Sequence, residues 1–410
     1  MRTFAALAQE RRPELIALLS ALIAAASEHG ESAAEAQSVL ANYLEAAGYT
    51  IELVVDGVSP FERDAQCIPA ASDVHLINVI ARPAARTNDV ALFAHIDTEH
   101  PSVGWTSPPH TSRIRGGRLY GLGAADDKAG VAAAAVAAAA LAKVGGPAPL
   151  VLSVHGKNGG TRGTLPVFTR LDRLEAALYL HPAETGRGLS EIKHASRGVL
   201  DLTIEIDGWR GPEREIGRPD TARFDEGGDA LEAIIAAVNR WRICELKGCE
   251  INIGRISAGE IGGTVPMHCE AEIRVVFDEP RSATDILSGI TADLAAISSV
   301  EHAPGRRFHA HVVRLGTCAD PARLAWDHPW CRTVAQTMEA VVGKPPRSYE
   351  GHLASDIRFP IRLLNAPAVG VGSLAGNFCG ADEWVDLDDV MRLVAVAMQS
   401  VWAWCEGERV

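Results

Sequence analysis

Apolar residues recur at helical spacing over residues 3–28 and 32–48, with charges interleaved, and Gly48 follows the second run where a C-terminal glycine ends a helix. The pattern then shifts to short runs rich in Val, Ile and Leu: "YTIELVV" (49–55), "VHLINVIARP" (74–83) and "VALFAHID" (90–97). An alanine-rich run at 129–144 predicts a helix packed closely on a sheet, and "PLVLSVH" (149–155) and "AALYLHP" (176–182) predict strands flanking a short helix near 164–171. Strands that are apolar throughout and alternate with helices predict an α/β sheet covered on both faces.

After about residue 195 the rhythm changes. A strand at 198–207, a helix at 227–243, strands at 250–258 and 264–277, a helix at 283–298 and a strand at 307–315 follow one another. This βαββαβ order is that of a ferredoxin-like unit. The earlier style resumes with a helix at 328–341, "SDIRFP", a strand at 366–373 and a last helix at 388–403. The expected organisation is therefore one α/β domain made of residues 1–195 and 315–410, interrupted by a ferredoxin-like domain at 196–314.

Composition narrows the partners. The 410-residue chain is 47% hydrophobic and 22% charged with a formal charge of -13, which describes a folded protein of two domains. A surplus of acid argues against nucleic-acid or anionic-membrane surfaces, which need concentrated Lys and Arg, and leaves small molecules as the expected partners. The longest apolar run is too short to span a bilayer. The N-terminal segment has helical spacing rather than an apolar block with a cleavage site. Eight cysteines (67, 244, 249, 269, 318, 331, 379 and 405) lack a CxxC pair, so reduced thiols in a cytoplasm are expected.

Polar residues with metal chemistry sit where strands end. His95 and Asp97 in "FAHID" are two apart and point to one side of their strand, as a metal-ligating imidazole and its orienting carboxylate require. "GGRLYGLGAADDKAG" (116–130) places Asp126 and Asp127 just before the alanine-rich helix. A carboxylate there can bridge two metals or cap the helix. A lone histidine or a capping aspartate is commonly structural, so neither motif decides the matter alone.

Taken together, "HID", "GGRLYGLGAADDKAGVAA" (116–133), "RGVLDLTIEIDG" (197–208), "GGDALEAI" (227–234), "GGTVPMHCEAEIRVVF" (262–277), "ASDIRFP" (354–360) and "GVGSLAGNFCGADEWVDLDDV" (370–390) resemble the zinc aminoacylase and carboxypeptidase G family of metallopeptidases. That family includes acetylornithine and succinyl-diaminopimelate deacylases. The resemblance implies a zinc-peptidase-like catalytic domain with a mostly parallel sheet, and an inserted ferredoxin-like lid that serves as a homodimer surface. It implies His95 as a metal ligand oriented by Asp97, Asp126 as the metal bridge, and His181 as the ligand completing one metal. The family's base would fall at Lys157, its neighbouring metal-binding glutamate at Asn158, and its C-terminal histidine at Cys379. The lid histidine is replaced by a neighbourhood holding Arg210, Pro212 and Arg214, and the asparagine that often precedes "VVP" is absent.

Those departures define the expected chemistry. His95, Asp126 and His181 suit one divalent ion, zinc first, or manganese or iron if the coordination expands. Asn158 and Cys379 make a second site weak or empty. Lys157 as an ammonium cannot take a proton from water, but it can stabilise an oxyanion or a substrate carboxylate. His155 is a candidate replacement base, Cys379 a candidate nucleophile, and Arg210, Arg214 and Arg274 candidate anchors for a carboxylate. His352, His309 and His311 are further histidines in the pattern. Three functions follow: a one-metal hydrolase of an amide or other C–N bond in a small acidic molecule, an inactive ligand-binding homodimer, or a metal-free catalyst using Lys157 or Cys379.

Overall fold

The computed structural model describes residues 3–28, 32–55, 74–84, 89–210, 227–260 and 264–406, without the side chain of Asn158. It divides into two compact units, with Arg197–Pro321 in one and the flanking residues up to Ser196 and from Ala322 in the other.

The flanking unit is an eight-stranded sheet. Its strands are β1 (Tyr49–Val55), β2 (Ile77–Pro83), β3 (Val90–His95), β4 (Leu150–Val154), β5 (Ala176–Leu180) and β6 (Glu191–Lys193). The inserted unit contributes β7 (Gly198–Asp207), β8 (Glu250–Ala258), β9 (His268–Phe277) and β10 (His309–Ala319) to a sheet of its own, and β11 (Arg347–Tyr349) and β12 (Ala368–Val371) complete the first. The large sheet runs in the order β1-β2-β4-β3-β5-β12-β6-β11. Its central pairings, β4 with β3, β3 with β5 and β5 with β12, are parallel, as is β6 with β11.

The labelled helices are α1 (Arg12–Ala24), α2 (Ala34–Ala46), α3 (Lys128–Lys143), α4 (Ala230–Ile243), α5 (Ala283–Ser299), α6 (Pro329–Val342) and α7 (Leu387–Cys405). Alternation along the strands splits the large core in two. Leu92, Ala94, Val151, Leu178 and Leu180 face the cluster built with α1, α3, α6 and α7, while Ala91, Phe93, Leu152, Ala177 and Tyr179 face Leu165, Phe168 and Phe359 on the other side. Every central strand is thus buried on both faces, which explains its unbroken apolar sequence. The alanines of α3 let it lie close to the sheet: a Cβ on Gly130 would stand 1.8 Å from the carbonyl oxygen of Leu180.

The inserted unit follows the order β7-α4-β8-β9-α5-β10, with strands arranged β8-β9-β7-β10 and all neighbours antiparallel. Leu202, Ile204, Ile206, Cys269, Ala271 and Ile273 share a core with Ile234, Trp241, Ile286 and Ile290 of the two helices. One face is therefore packed and the other open.

One expectation fails here: Cys318 is disulfide-bonded, whereas Cys244, Cys249, Cys269, Cys331, Cys379 and Cys405 are free. Scattered spacing did not signal it, because a disulfide depends on distance in the fold rather than along the chain. Among the described residues no helix is long and apolar enough to cross a membrane.

Candidate active site

Neighbouring parallel strands deliver the polar groups. β3 ends at His95, β4 ends just before His155 and Lys157, and β5 ends just before His181. These carboxyl ends form the edge where open α/β sheets collect reactive residues. Asp126 joins them from the loop ahead of α3.

Asp126 divides its two oxygens between two kinds of partner. Oδ1 lies 2.8 Å from His95 Nε2 and 3.3 Å from His181 Nε2. Oδ2 accepts from Lys157 Nζ at 2.6 Å and from Cys379 Sγ at 3.3 Å. Lys157 Nζ is also 3.7 Å from Cys379 Sγ and 3.8 Å from Glu99 Oε1.

Charge follows from this arrangement. Burial opposes ionisation of Asp126, but Lys157 and His95 outweigh it and hold the carboxyl well below its usual range. Burial likewise works against a charged Lys157, yet Asp126 raises its pKa above the ordinary lysine value, so it is an ammonium and neither base nor nucleophile. His95 is also buried, and Asp126 and Asp97 nevertheless raise it well above the usual imidazole range. Desolvation and the Asp126 carboxylate push the Cys379 thiol up to about 12, which leaves little thiolate at neutral pH and weakens its candidacy as a nucleophile.

A second layer of contacts sets these groups in place. His95 Nδ1 donates to the backbone oxygen of Asp97 at 3.0 Å, while the Asp97 carboxylate accepts the backbone N–H groups of Gly156 and Lys157 at 2.8 and 3.0 Å. Gly156 is needed for this approach, since a Cβ there would come within 2.8 Å of His95 Cβ. Glu383 accepts the backbone N–H groups of Gly123, Ala125 and Asp126, each at 2.8 Å, and so clamps the loop that presents Asp126. The sequence reading missed Glu383, although its place four residues after Cys379 in "CGADEW" was a usable signal.

Lys193 was also missed. It is fully buried, with Nζ 2.8 Å from His181 Nδ1, 2.9 Å from the His181 carbonyl and 2.8 Å from the Pro182 carbonyl. As an ammonium it gives one hydrogen to each, which fixes the His181 proton on Nε2, toward Asp126. A neutral Lys193, the form that burial favours, would instead accept from Nδ1–H and leave the Nε2 lone pair free. Beside it, His352 Nδ1 lies 2.9 Å from Glu184 Oε1, and Tyr349 donates to Glu184 Oε2 at 3.1 Å.

Other expected site residues lie elsewhere or are engaged. His155 is buried with its Nδ1 3.1 Å from Asn78 Oδ1, so it is held toward β2. Asp127 neither caps α3 with its side chain nor pairs with Lys157; its Oδ2 accepts the His95 backbone N–H at 3.4 Å. Arg274 is held by Asp201 through two hydrogen bonds of 2.7 Å, so its guanidinium serves the inserted sheet rather than a substrate. Arg210 is half-buried, its Nε without a hydrogen-bond partner among the described residues. Arg214 and the Asn158 side chain lie outside the described residues. Cys379 holds a left-handed backbone, φ 54°, in the loop that turns it toward Asp126.

One divalent cation suits this donor set. The ligand atoms of His95, Asp126 and His181 all lie within 4.8 Å of one another, and both imidazoles converge on the same oxygen. The opposite oxygen already has an ammonium.

The fold and the motif order have a match among known proteins. The model of Peptidase family M20/M25/M40 aligns with residues 91–403. The chain belongs to this family. Members similar to it include succinyl-diaminopimelate desuccinylases from Sphingopyxis alaskensis, 26% identical over 94% of this chain and 97% of the relative, and from Zymomonas mobilis, 23% identical over 87% and 90%. Among solved structures, a tripeptidase from Staphylococcus aureus superposes with a TM-score of 0.71 at 14% identity, covering 96% of this chain and 99% of the other. A dinuclear metal-binding M20 peptidase from Bacillus subtilis gives 0.65 at 15%, covering 97% and 99%. These structures share the chain's mixed α/β fold with its mostly parallel main sheet.

Proposed function

We propose that this M20 chain hydrolyses an amide or related C–N bond in a small acidic molecule, with one divalent metal and an ammonium in place of the second. The observation that supports it is the division of Asp126: two imidazoles on Oδ1 and Lys157 on Oδ2. His95, Asp126 and His181 would hold the ion, zinc first or else manganese or iron. A divalent ion there supplies Lewis-acid polarisation of a carbonyl and acidifies water.

The chain's own residues have separate tasks. Lys157, a fixed positive charge, stabilises negative charge developing on the carbonyl oxygen or holds a substrate carboxylate. Asp97 fixes the orientation of His95 and of the backbone at Lys157. Arg210, and Arg214 from the same segment, are proposed to bind a carboxylate of the substrate. The similarity to desuccinylases supports an acyl-amino-acid type of substrate. A homodimer formed through the inserted unit belongs to the same proposal. Six free cysteines support a cytoplasmic setting, while the disulfide at Cys318 weighs against it.

The test is elemental analysis of untagged chain after reconstitution with Zn, Mn or Fe, alongside turnover of N-succinyl and N-acetyl amino acids. The proposal expects one metal equivalent to be lost in His181→Ala, together with activity. A second reading, an inactive ligand-binding protein, is favoured by one specific arrangement. The three ligand atoms already meet one another without a metal: Asp126 Oδ1 lies 2.8 Å from His95 Nε2 and 3.3 Å from His181 Nε2. Metal content unchanged by His181→Ala, with an N-acyl amino acid bound but not cleaved, would transfer the conclusion to that reading.

A further inference from the structure

The open face of the inserted sheet carries a second set of metal-binding side chains. Along β7, Ile204 and Ile206 point into the helix-covered core, so Glu205 and Asp207 belong to the opposite face. Antiparallel register sets His268 of β9 and His309 of β10 on either side of Asp207, and Glu270 and His311 on either side of Glu205. Directly paired residues share a face, so a strand bearing two carboxylates runs between two strands bearing imidazoles.

These groups already converge. His268 Nδ1 is 2.9 Å from Asp207 Oδ1 and 3.7 Å from Glu205 Oε1, and one ligand atom from each of Glu205, Asp207 and His268 lies within 4.8 Å of the others. The arginines nearby are committed elsewhere: Arg255 to Glu270 and Glu272, and Arg314 to Glu272. Among the described residues Glu205 and Asp207 have ion pairs with His268 and with no Lys or Arg.

We propose that Glu205, Asp207 and His268 form a second divalent-metal site, of zinc type, on the open face of the inserted sheet. One imidazole and two carboxylates are a ligand set that zinc accepts, and one ligand atom from each residue lies within 4.8 Å of the others. Water would complete the coordination, and His309 stands opposite Asp207 on β10. The site shares no residue with the His95, Asp126 and His181 set. Bound there, the ion would link β7 to β9 at the last paired residues of the two strands, Asp207 and His268, and so act as a structural clamp.

The probe is Zn2+ alone, followed by Co2+ for its visible absorption. Full-length chain carrying His95→Ala and His181→Ala removes the other candidate centre, and equilibrium dialysis with elemental analysis counts what remains. One equivalent is expected in this background. Adding Asp207→Asn or His268→Gln should weaken it by at least about tenfold and abolish the cobalt spectrum, while Glu272→Gln on the same face should leave it unchanged. Far-UV circular dichroism of each metal-free variant shows whether the fold is intact. Absence of stoichiometric zinc in the double-alanine chain, or equal binding after Asp207→Asn in a folded protein, overturns the proposal.

Discussion

At the scale of single residues, the decisive contact is Lys157 on Asp126 Oδ2, because it places a covalently tethered charge on the oxygen that a second metal would share. Restoring carboxylates tests this directly. Lys157→Glu with Asn158→Glu should raise zinc content by one equivalent by elemental analysis; unchanged content would mean that these positions do not border a metal. Glu383 makes a different prediction, since its carboxylate serves three backbone donors at once. Each buried donor left unpaired costs about 1–3 kcal/mol, so Glu383→Ala should lower the melting temperature by several degrees. It should also weaken metal binding about 10–100-fold by freeing the Asp126 loop, measured by competition with a chromogenic chelator. Loss of stability without loss of metal affinity would make Glu383 purely structural.

At the scale of elements, local pattern decided where helices and strands lie, and their partners decided their chemistry. Residues 3–28 read as one helix, but Pro13 divides them into Phe4–Glu10 and α1. Glu14 in α1 then accepts from Arg11 at 2.7 Å and from Tyr43 in α2 at 2.5 Å, tying the two helices. Partial burial works to raise the Glu14 pKa, and the Tyr43 and Arg11 hydrogen bonds overcome it, so the folded value lies below 4.5. A depressed folded pKa stabilises above the unfolded value and loses that contribution as pH falls through the folded value. Glu14→Gln should therefore cost about 1 kcal/mol at pH 7, with the difference from the parent shrinking in melts recorded below the unfolded pKa. An equal difference at both pH values would show that ionisation of Glu14 contributes nothing. The strand ends were equally readable, since "FAHID" and "LYLHP" mark where His95 and His181 leave the sheet. Their convergence on one oxygen of Asp126 was not, because it depends on β3 and β5 being parallel neighbours.

At the scale of the molecule, the chain is an M20 fold whose inserted unit leaves and re-enters at adjacent positions. Ser196 pairs with Ala322 and Ala195 with Arg323, on either side of the insertion. Replacing 198–320 by a short Gly/Ser linker should thus yield a flanking unit that melts cooperatively and still takes up the metal equivalent that is sensitive to His181→Ala. An insoluble or non-cooperative product would show that the flanking unit depends on the insertion for folding.

The sequence by itself determined the two-part organisation, the βαββαβ order of the insertion and the succession of residues at the strand ends. Each of these is written in apolar periodicity and in motifs that act over a few residues. Only the tertiary structure decided what those residues do to one another. Lys193 reaches His181 across twelve positions, Glu383 holds the Asp126 loop across 257, and Asp201 occupies Arg274 across 73. Hydrogen bonding and charge act through distance in space, and the order of strands in the sheet sets that distance.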